Sequence, residues 1–197
     1  MIYLIGGAPR TGKSILGQQF AAKLKISWIS TDLLVELLQV KHVEGAPTEW
    51  NADPKVLAAR AEWFFPCLER FVWGVSSLAE NYVIEGVSFL PAQVAQISEL
   101  YPTCSLFLGC AKMTLERFDR FPGCSQGYAN LSEEMRRRFA QDVPHWSEFV
   151  RQEAERFNCP YVDMSDNFSS RLRDAEALLT TEIQKSSGSS LVESKNR

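Results

Sequence analysis

No stretch of the chain comes near the roughly 18 to 20 consecutive apolar residues that span a bilayer, and the opening segment, residues 1–7, lacks the cationic flank of a secretory signal. Neither sign of charge prevails. Lys and Arg total 21 against 24 Asp and Glu, a formal charge of −3, so there is no basic footprint for duplex nucleic acid or an anionic membrane. Membranes are excluded as partners and nucleic acid is disfavoured. Histidine is scarce, and His42 and His145 lack the companions of a metal site. The five cysteines (Cys67, Cys104, Cys110, Cys124 and Cys159) are odd in number, scattered and without a C-x-x-C pair. They read as reduced thiols in a soluble cytoplasmic protein. No internal repeat is found.

What remains is a chain of 197 residues, 45% hydrophobic and 11% aromatic, enough for one sizeable core. Short continuous apolar runs at 2–7, 26–30, 82–86, 105–109 and 161–164 have the pattern of strands buried on both faces. Helical stretches separate them, which predicts an α/β fold built on a parallel sheet. The first helix is expected over 12–24, with Ile15, Leu16, Phe20 and Leu24 on its apolar face. Between the second and third runs lies an excursion, 32–81, longer than a plain crossover, with helices expected over 33–40 and 54–78. Trp50, Trp63, Phe64, Phe65 and Trp73 load it with aromatics that serve mostly as core, and Arg60 and Arg70 lie among them. Pro122, Gly123 and Gly127 punctuate a loop, 121–130, between helical stretches 113–120 and 131–157, so the region 113–138 reads as a lid. Residues 1–185 form the expected domain, and the Ser-rich residues 186–197 a disordered tail.

The most specific signal is Gly7-Ala8-Pro9-Arg10-Thr11-Gly12-Lys13-Ser14, which matches G-x-x-x-x-G-K-[ST] directly after a strand and at the start of a helix. Such a loop turns backbone N–H groups inward on a phosphate, and the helix N-terminus adds partial positive charge. Gly7, Arg10, Thr11, Gly12, Lys13, Ser14 and Ile15 are the expected nucleotide-binding positions, with Lys13 on the β and γ oxygens and Ser14 on Mg²⁺. In an open parallel sheet, ligands lie beyond the carboxyl ends of the strands. Asp32, just after the second run, is the candidate to orient or deprotonate an acceptor hydroxyl, although Thr31 or Asp32 could also serve as a helix N-cap. Glu85, closing the third run, is the candidate to organise the metal's water shell. Arg117 and Arg120 before the lid loop, with Arg136, Arg137 and Arg138 after it, are the expected clamp on the transferring phosphoryl group.

With these residues assembled, the chain resembles, over about residues 1–180, the P-loop small-molecule and nucleotide kinases of the adenylate, shikimate and gluconate kinase group. Segments 29–32 (Ile-Ser-Thr-Asp) and 83–91 (Val-Ile-Glu-Gly-Val-Ser-Phe-Leu-Pro) are most similar to 2-phosphoglycerate kinase-type sequences, although Ser88 stands where those carry His. The resemblance implies a five-stranded sheet of order 2-3-1-4-5, ATP with Mg²⁺, an arginine-bearing lid, and a small phosphate acceptor, anionic in character, held between strands two and three. The expected activity is ATP-dependent phosphoryl transfer. A nucleotide-dependent switch acting through a protein partner is the alternative, though no N-K-x-D or L-S-G-G-Q segment is present. A third reading keeps the chemistry and changes the target to a nucleotide-sugar, an antibiotic or an RNA end.

Overall fold

Alternate residues of the first strand enter two different cores, which is why its apolar run is unbroken. In the computed structural model, which describes residues 1–39, 51–120 and 130–193 with side chains to residue 181, β1 (Ile2–Gly7) is buried along its whole length. Ile2 and Leu4 join a cluster on one face of the sheet, Tyr3 and Ile5 a cluster on the other. The remaining strands are β2 (Ser27–Ser30), β3 (Tyr82–Glu85), β4 (Thr103–Gly109) and β5 (Tyr161–Asp163). All neighbours pair in parallel, in the order β2-β3-β1-β4-β5, as the resemblance implies.

Helices α1 (Lys13–Leu24) and α7 (Phe168–Glu193) cover the face where Phe20, Leu106, Leu108 and Leu179 pack. The opposite face is covered by α3 (Pro54–Ser77), α4 (Pro91–Leu100) and α6 (Glu133–Arg156), through Phe64, Leu68, Ile97, Val143 and Trp146. Each fully buried side chain of that size contributes about 1.5–3 kcal/mol by leaving water. The short helices α2 (Thr31–Gln39) and α5 (Leu115–Arg120) stand at the carboxyl edge. Asp53 caps α3 by accepting from the Lys55 N–H at 2.8 Å, and Pro54 follows as its first residue. Ser132 caps α6 in the same way, accepting from the Met135 N–H at 3.2 Å. Of the excursion aromatics, Phe64 is fully buried while Trp73 is exposed, stacked under Arg70 at 3.9 Å; Trp50 lies outside the described residues.

One expectation is corrected. The buried face of α1 is Leu16, Gly17, Phe20 and Ala21; Ile15 and Leu24 are exposed. Gly17 causes the rotation: a Cβ there would lie 2.7 Å from the Trp28 Nε1, so the bare helix surface receives the indole of β2. At the carboxyl end α7 runs to Glu193, within the 186–197 segment expected to be a tail, of which residues 194–197 lie outside the described residues. Only Gly188 in that stretch strongly disfavours a helix already propagating from a packed segment. Among the described residues, no helix is long and apolar enough to cross a membrane.

Candidate functional site

The phosphate loop leaves β1 through Gly7, whose φ of +131° suits glycine. A Cβ at Gly7 would lie 2.0 Å from the Leu108 carbonyl oxygen, so the loop is pressed against β4, and the Ala8 N–H donates to that carbonyl at 2.9 Å. Gly12, at φ +94°, is the N-cap of α1, and no side chain caps the helix. The first N–H groups of α1 are thereby left available to an anion. Lys13 is buried to 5% exposure, and its ammonium donates to the Ala8 carbonyl at 2.6 Å, as does the Thr11 hydroxyl at 2.8 Å. Burial lowers the Lys13 pKa, opposed by the charges of Glu85 and Asp32. Ser14 is exposed, and its hydroxyl donates to Glu85 Oε1 at 3.1 Å. Ile15 is exposed beside it.

Glu85 ends β3 at 2% exposure, in register with Ile5 of β1 and Ser30 of β2. Burial raises its pKa; Lys13 and hydrogen bonds from Ser30 and Ser14 act in the opposite direction. Asp32 is exposed at the second position of α2, within electrostatic reach of Lys13, Glu85 and Arg60. The cap of this helix is neither Thr31 nor Asp32: the Ser30 hydroxyl accepts from the Asp32 N–H at 3.3 Å, leaving the Asp32 carboxylate out of the capping role. Lys13, Ser14, Asp32 and Glu85 are therefore brought together at the carboxyl ends of β1, β2 and β3. Ser14 and Glu85 supply a hydroxyl and a carboxylate, hard oxygen ligands suited to Mg²⁺ directly or through water. Among the described residues no three His, Cys, Asp or Glu side chains cluster as a metal site.

Arg60 was singled out in the sequence only as a companion of the aromatics. It projects from α3 toward this site, its guanidinium 6.0 Å from the ring centroid of fully buried Trp146. Burial lowers its pKa, and the Asp32 charge opposes that shift. Beside it, Thr31 is fully buried with its hydroxyl unpaired, and a Cβ on Gly86 would lie 1.7 Å from that oxygen. Gly86→Ala is expected to destabilise the fold by about 2 kcal/mol through overpacking, measured by urea unfolding. Adding Thr31→Ala should recover part of the loss, because it removes the hydroxyl at 1.7 Å while the residue 31 Cβ stays 2.8 Å from the new methyl group; additive losses would contradict this assignment.

The arginines singled out in the sequence each have partners within the chain. Arg10, at φ +64°, turns from the loop to α5, donating to the Phe118 carbonyl at 2.6 Å with its guanidinium 4.5 Å over the Phe118 ring. It thereby satisfies a carbonyl in the last turn of a short helix. Arg117 donates to the carbonyls of Met164 and Ser165, and to that of Asp166 at 3.4 Å. Arg136 pairs with Asp119 at 3.0 Å, joining α6 to α5, while Arg137 and Arg138 pair with Glu133 and Asp142 of their own helix at 2.9 and 4.0 Å. Each of these contacts is to this chain's own carbonyls, carboxylates or ring. Of the loop expected to carry the lid, 121–130, residues 121–129 lie outside the described residues. Between α5 and the segment after β5 is a cavity of about 470 Å³ lined by Arg117, Arg120, Asn167 and Phe168 among others. The Phe168 ring lies 2.8 Å from where a Gly12 Cβ would stand, so this cavity adjoins the phosphate loop. Phe168 carried no sequence signal beyond being an aromatic near a helix start.

No protein-family model matches the chain, and no curated protein matches it. Solved structures do. A gluconokinase from Sinorhizobium meliloti 1021 superposes with a TM-score of 0.52 at 17% identity, over 91% of each chain. A shikimate kinase from Bacteroides thetaiotaomicron also gives 0.52 at 17% identity, over 91% of this chain and 98% of that one. The shikimate kinase of Aquifex aeolicus gives 0.50 at 14%, over 91% and 96%. At these identities the likeness is one of fold, and the fold is that of the P-loop small-molecule kinases.

Proposed function

We propose that this chain is a phosphotransferase that moves the γ-phosphoryl group of ATP, taken with Mg²⁺, to a hydroxyl or phosphate of a small anionic acceptor. The observation that carries this reading is the meeting of Lys13, Ser14, Glu85 and Asp32 at one edge of the sheet. The phosphate loop and the N-terminus of α1 bind the nucleotide's phosphates, and Lys13 supplies a nearly water-free positive charge where negative charge develops. Ser14 and Glu85 are the residues that would hold Mg²⁺, which when bound neutralises the β and γ oxygens. Asp32 faces the acceptor side and accepts or orients the attacking hydroxyl's proton. Arg60, partly desolvated and near Asp32, pairs with the acceptor's anionic group. Arg117 and Arg120 of α5 both line the cavity beside the phosphate loop and are the lid-side arginines, Arg117 also bonding the carbonyls that form its wall. The thiols of Cys67, Cys104, Cys110 and Cys159 are free, which fits a protein working in the reducing cytoplasm.

The test is ADP release from Mg·ATP with a panel of acceptors: 2-phosphoglycerate, gluconate, shikimate and nucleoside monophosphates. An acceptor-dependent rate is expected for an anionic member. Arg60→Met should raise the KM for that acceptor about tenfold or more while changing the KM for ATP little. ADP release indifferent to every acceptor, or an Arg60 variant with unchanged acceptor KM, would count against the reading.

A further inference from the structure

The carboxyl end of β5 carries a network that neither the phosphate loop nor the acceptor side uses. One oxygen of Asp163, Oδ1, accepts from the Ala111 N–H at 3.2 Å, the Ser165 N–H at 3.0 Å and the Ser165 hydroxyl at 2.5 Å. The Ser165 oxygen accepts in turn from the Lys112 N–H at 2.9 Å. A single carboxylate thus staples the segment after β4 to the segment after β5 and folds residues 163–165 into a tight turn. Below it the ladder holds as well, with the Met164 N–H donating to the Gly109 carbonyl at 2.8 Å. The turn presents three consecutive carbonyls, of Met164, Ser165 and Asp166, and the guanidinium of Arg117 binds all three. Arg117 and Asp166 are walls of the 470 Å³ cavity next to Gly12.

Charge-assisted bonds to a carboxylate are the strong ones, and a planar guanidinium held on several acceptors has little rotational freedom. We infer that Asp163 is a positioning residue for the nucleoside part of the nucleotide: through the Ser165 turn and its carbonyls it holds Arg117, and so fixes the width of the cavity into which the base enters. The inference rests on the proposed nucleotide site. It locates base affinity in a network remote from the phosphates, so phosphate binding alone should be indifferent to it. Neither Asp163 nor Ser165 belongs to the phosphate loop, and neither lies among the acceptor-side residues.

The experiment compares two probes by calorimetry on the full chain, Mg·ATP and Mg·tripolyphosphate, the second lacking ribose and base. Asp163→Ala should weaken Mg·ATP about tenfold and Mg·tripolyphosphate less than about twofold. Asp163→Asn, which keeps an acceptor oxygen without the charge, should fall between Ala and the parent. Ser165→Ala, which spares the backbone bonds to Asp163, should give a smaller loss of the same kind and serves if Asp163→Ala fails to fold. Equal weakening of both probes would show a merely structural role and overturn the inference, as would no weakening in any variant. A parent protein that binds the two probes equally tightly has no base subsite, which overturns the inference alone. A parent that binds neither overturns the proposed function and the inference with it.

Discussion

Lys13→Ala is expected to lower kcat/KM for ATP-dependent transfer by about a thousandfold or more while leaving the fold intact, as read by steady-state ADP release and circular dichroism. The magnitude follows from the setting of the ammonium. At 5% exposure it is nearly removed from water, and its interaction with a phosphate is screened far less than that of a surface lysine. The same burial lowers its pKa, which means that the folded protein bears a cost for keeping it charged. That cost is present at pH values below the shifted pKa and is relieved as pH rises through it, so the variant should lose no stability at neutral pH on this account. Glu85 loses its nearest cation in the variant, but burial already raises its pKa, and it can take up a proton instead of remaining an uncompensated anion. Activity within tenfold of the parent would remove Lys13 from the phosphate-binding role.

The parts of this molecule that were legible in the sequence are those fixed by local chemistry. β1, β3 and β4 could be read because both faces of each are covered, which leaves short apolar runs that a half-buried strand would not have, whereas the edge strands β2 and β5 are only partly buried and were read from their spacing between helices. The phosphate loop was legible because glycines at Gly7 and Gly12 are required by positive φ, and Lys13 and Ser14 follow at fixed spacing. Asp32 and Glu85 were legible because sheet topology dictates which strand ends meet. Directions taken by long side chains were not. Arg10 sits in the phosphate loop yet bonds a carbonyl 108 residues away, and Arg117 bonds carbonyls some 48 residues on; no periodicity carries such information. The face of α1 was misjudged because periodicity counts apolar side chains, whereas Gly17 contributes to packing by having none.

The arginine placements divide the site into two halves about β1. On the β2 and β3 side lie Asp32 and Arg60, proposed for chemistry and acceptor binding, and Glu85, proposed to help hold Mg²⁺, with Arg60 over the Trp146 ring of α6. On the β4 and β5 side, guanidinium groups bind the chain's own carbonyls and shape a cavity. Arg10 joins the halves, since it belongs to the phosphate loop by sequence and to α5 by its contacts. Substitutions at Asp32 or Arg60 should therefore move acceptor parameters, and those on the β4 and β5 side nucleotide parameters.

Asp32→Asn puts that division to its most demanding use. Acceptor-dependent transfer should fall by about 10²–10⁴, the range for loss of a positioned proton acceptor, while the Kd for Mg·ATP stays within about threefold. The reason is geometric. Ser30 supplies the helix cap, so the Asp32 carboxylate is not needed to hold α2, and the amide variant keeps its size and N–H. The carboxylate is exposed, so its removal creates no cavity. What changes is the charge available to an approaching hydroxyl, and the local field at Lys13 and Arg60, on both of which the Asp32 charge opposes the lowering of pKa by burial. The field change weakens ATP slightly at most, because Glu85 remains beside Lys13. The decisive measurement pairs single-turnover transfer with equilibrium nucleotide binding on the same preparation. Transfer and binding lost in equal measure would make Asp32 part of the nucleotide site, and transfer retained would leave the attacking hydroxyl to be activated by another group.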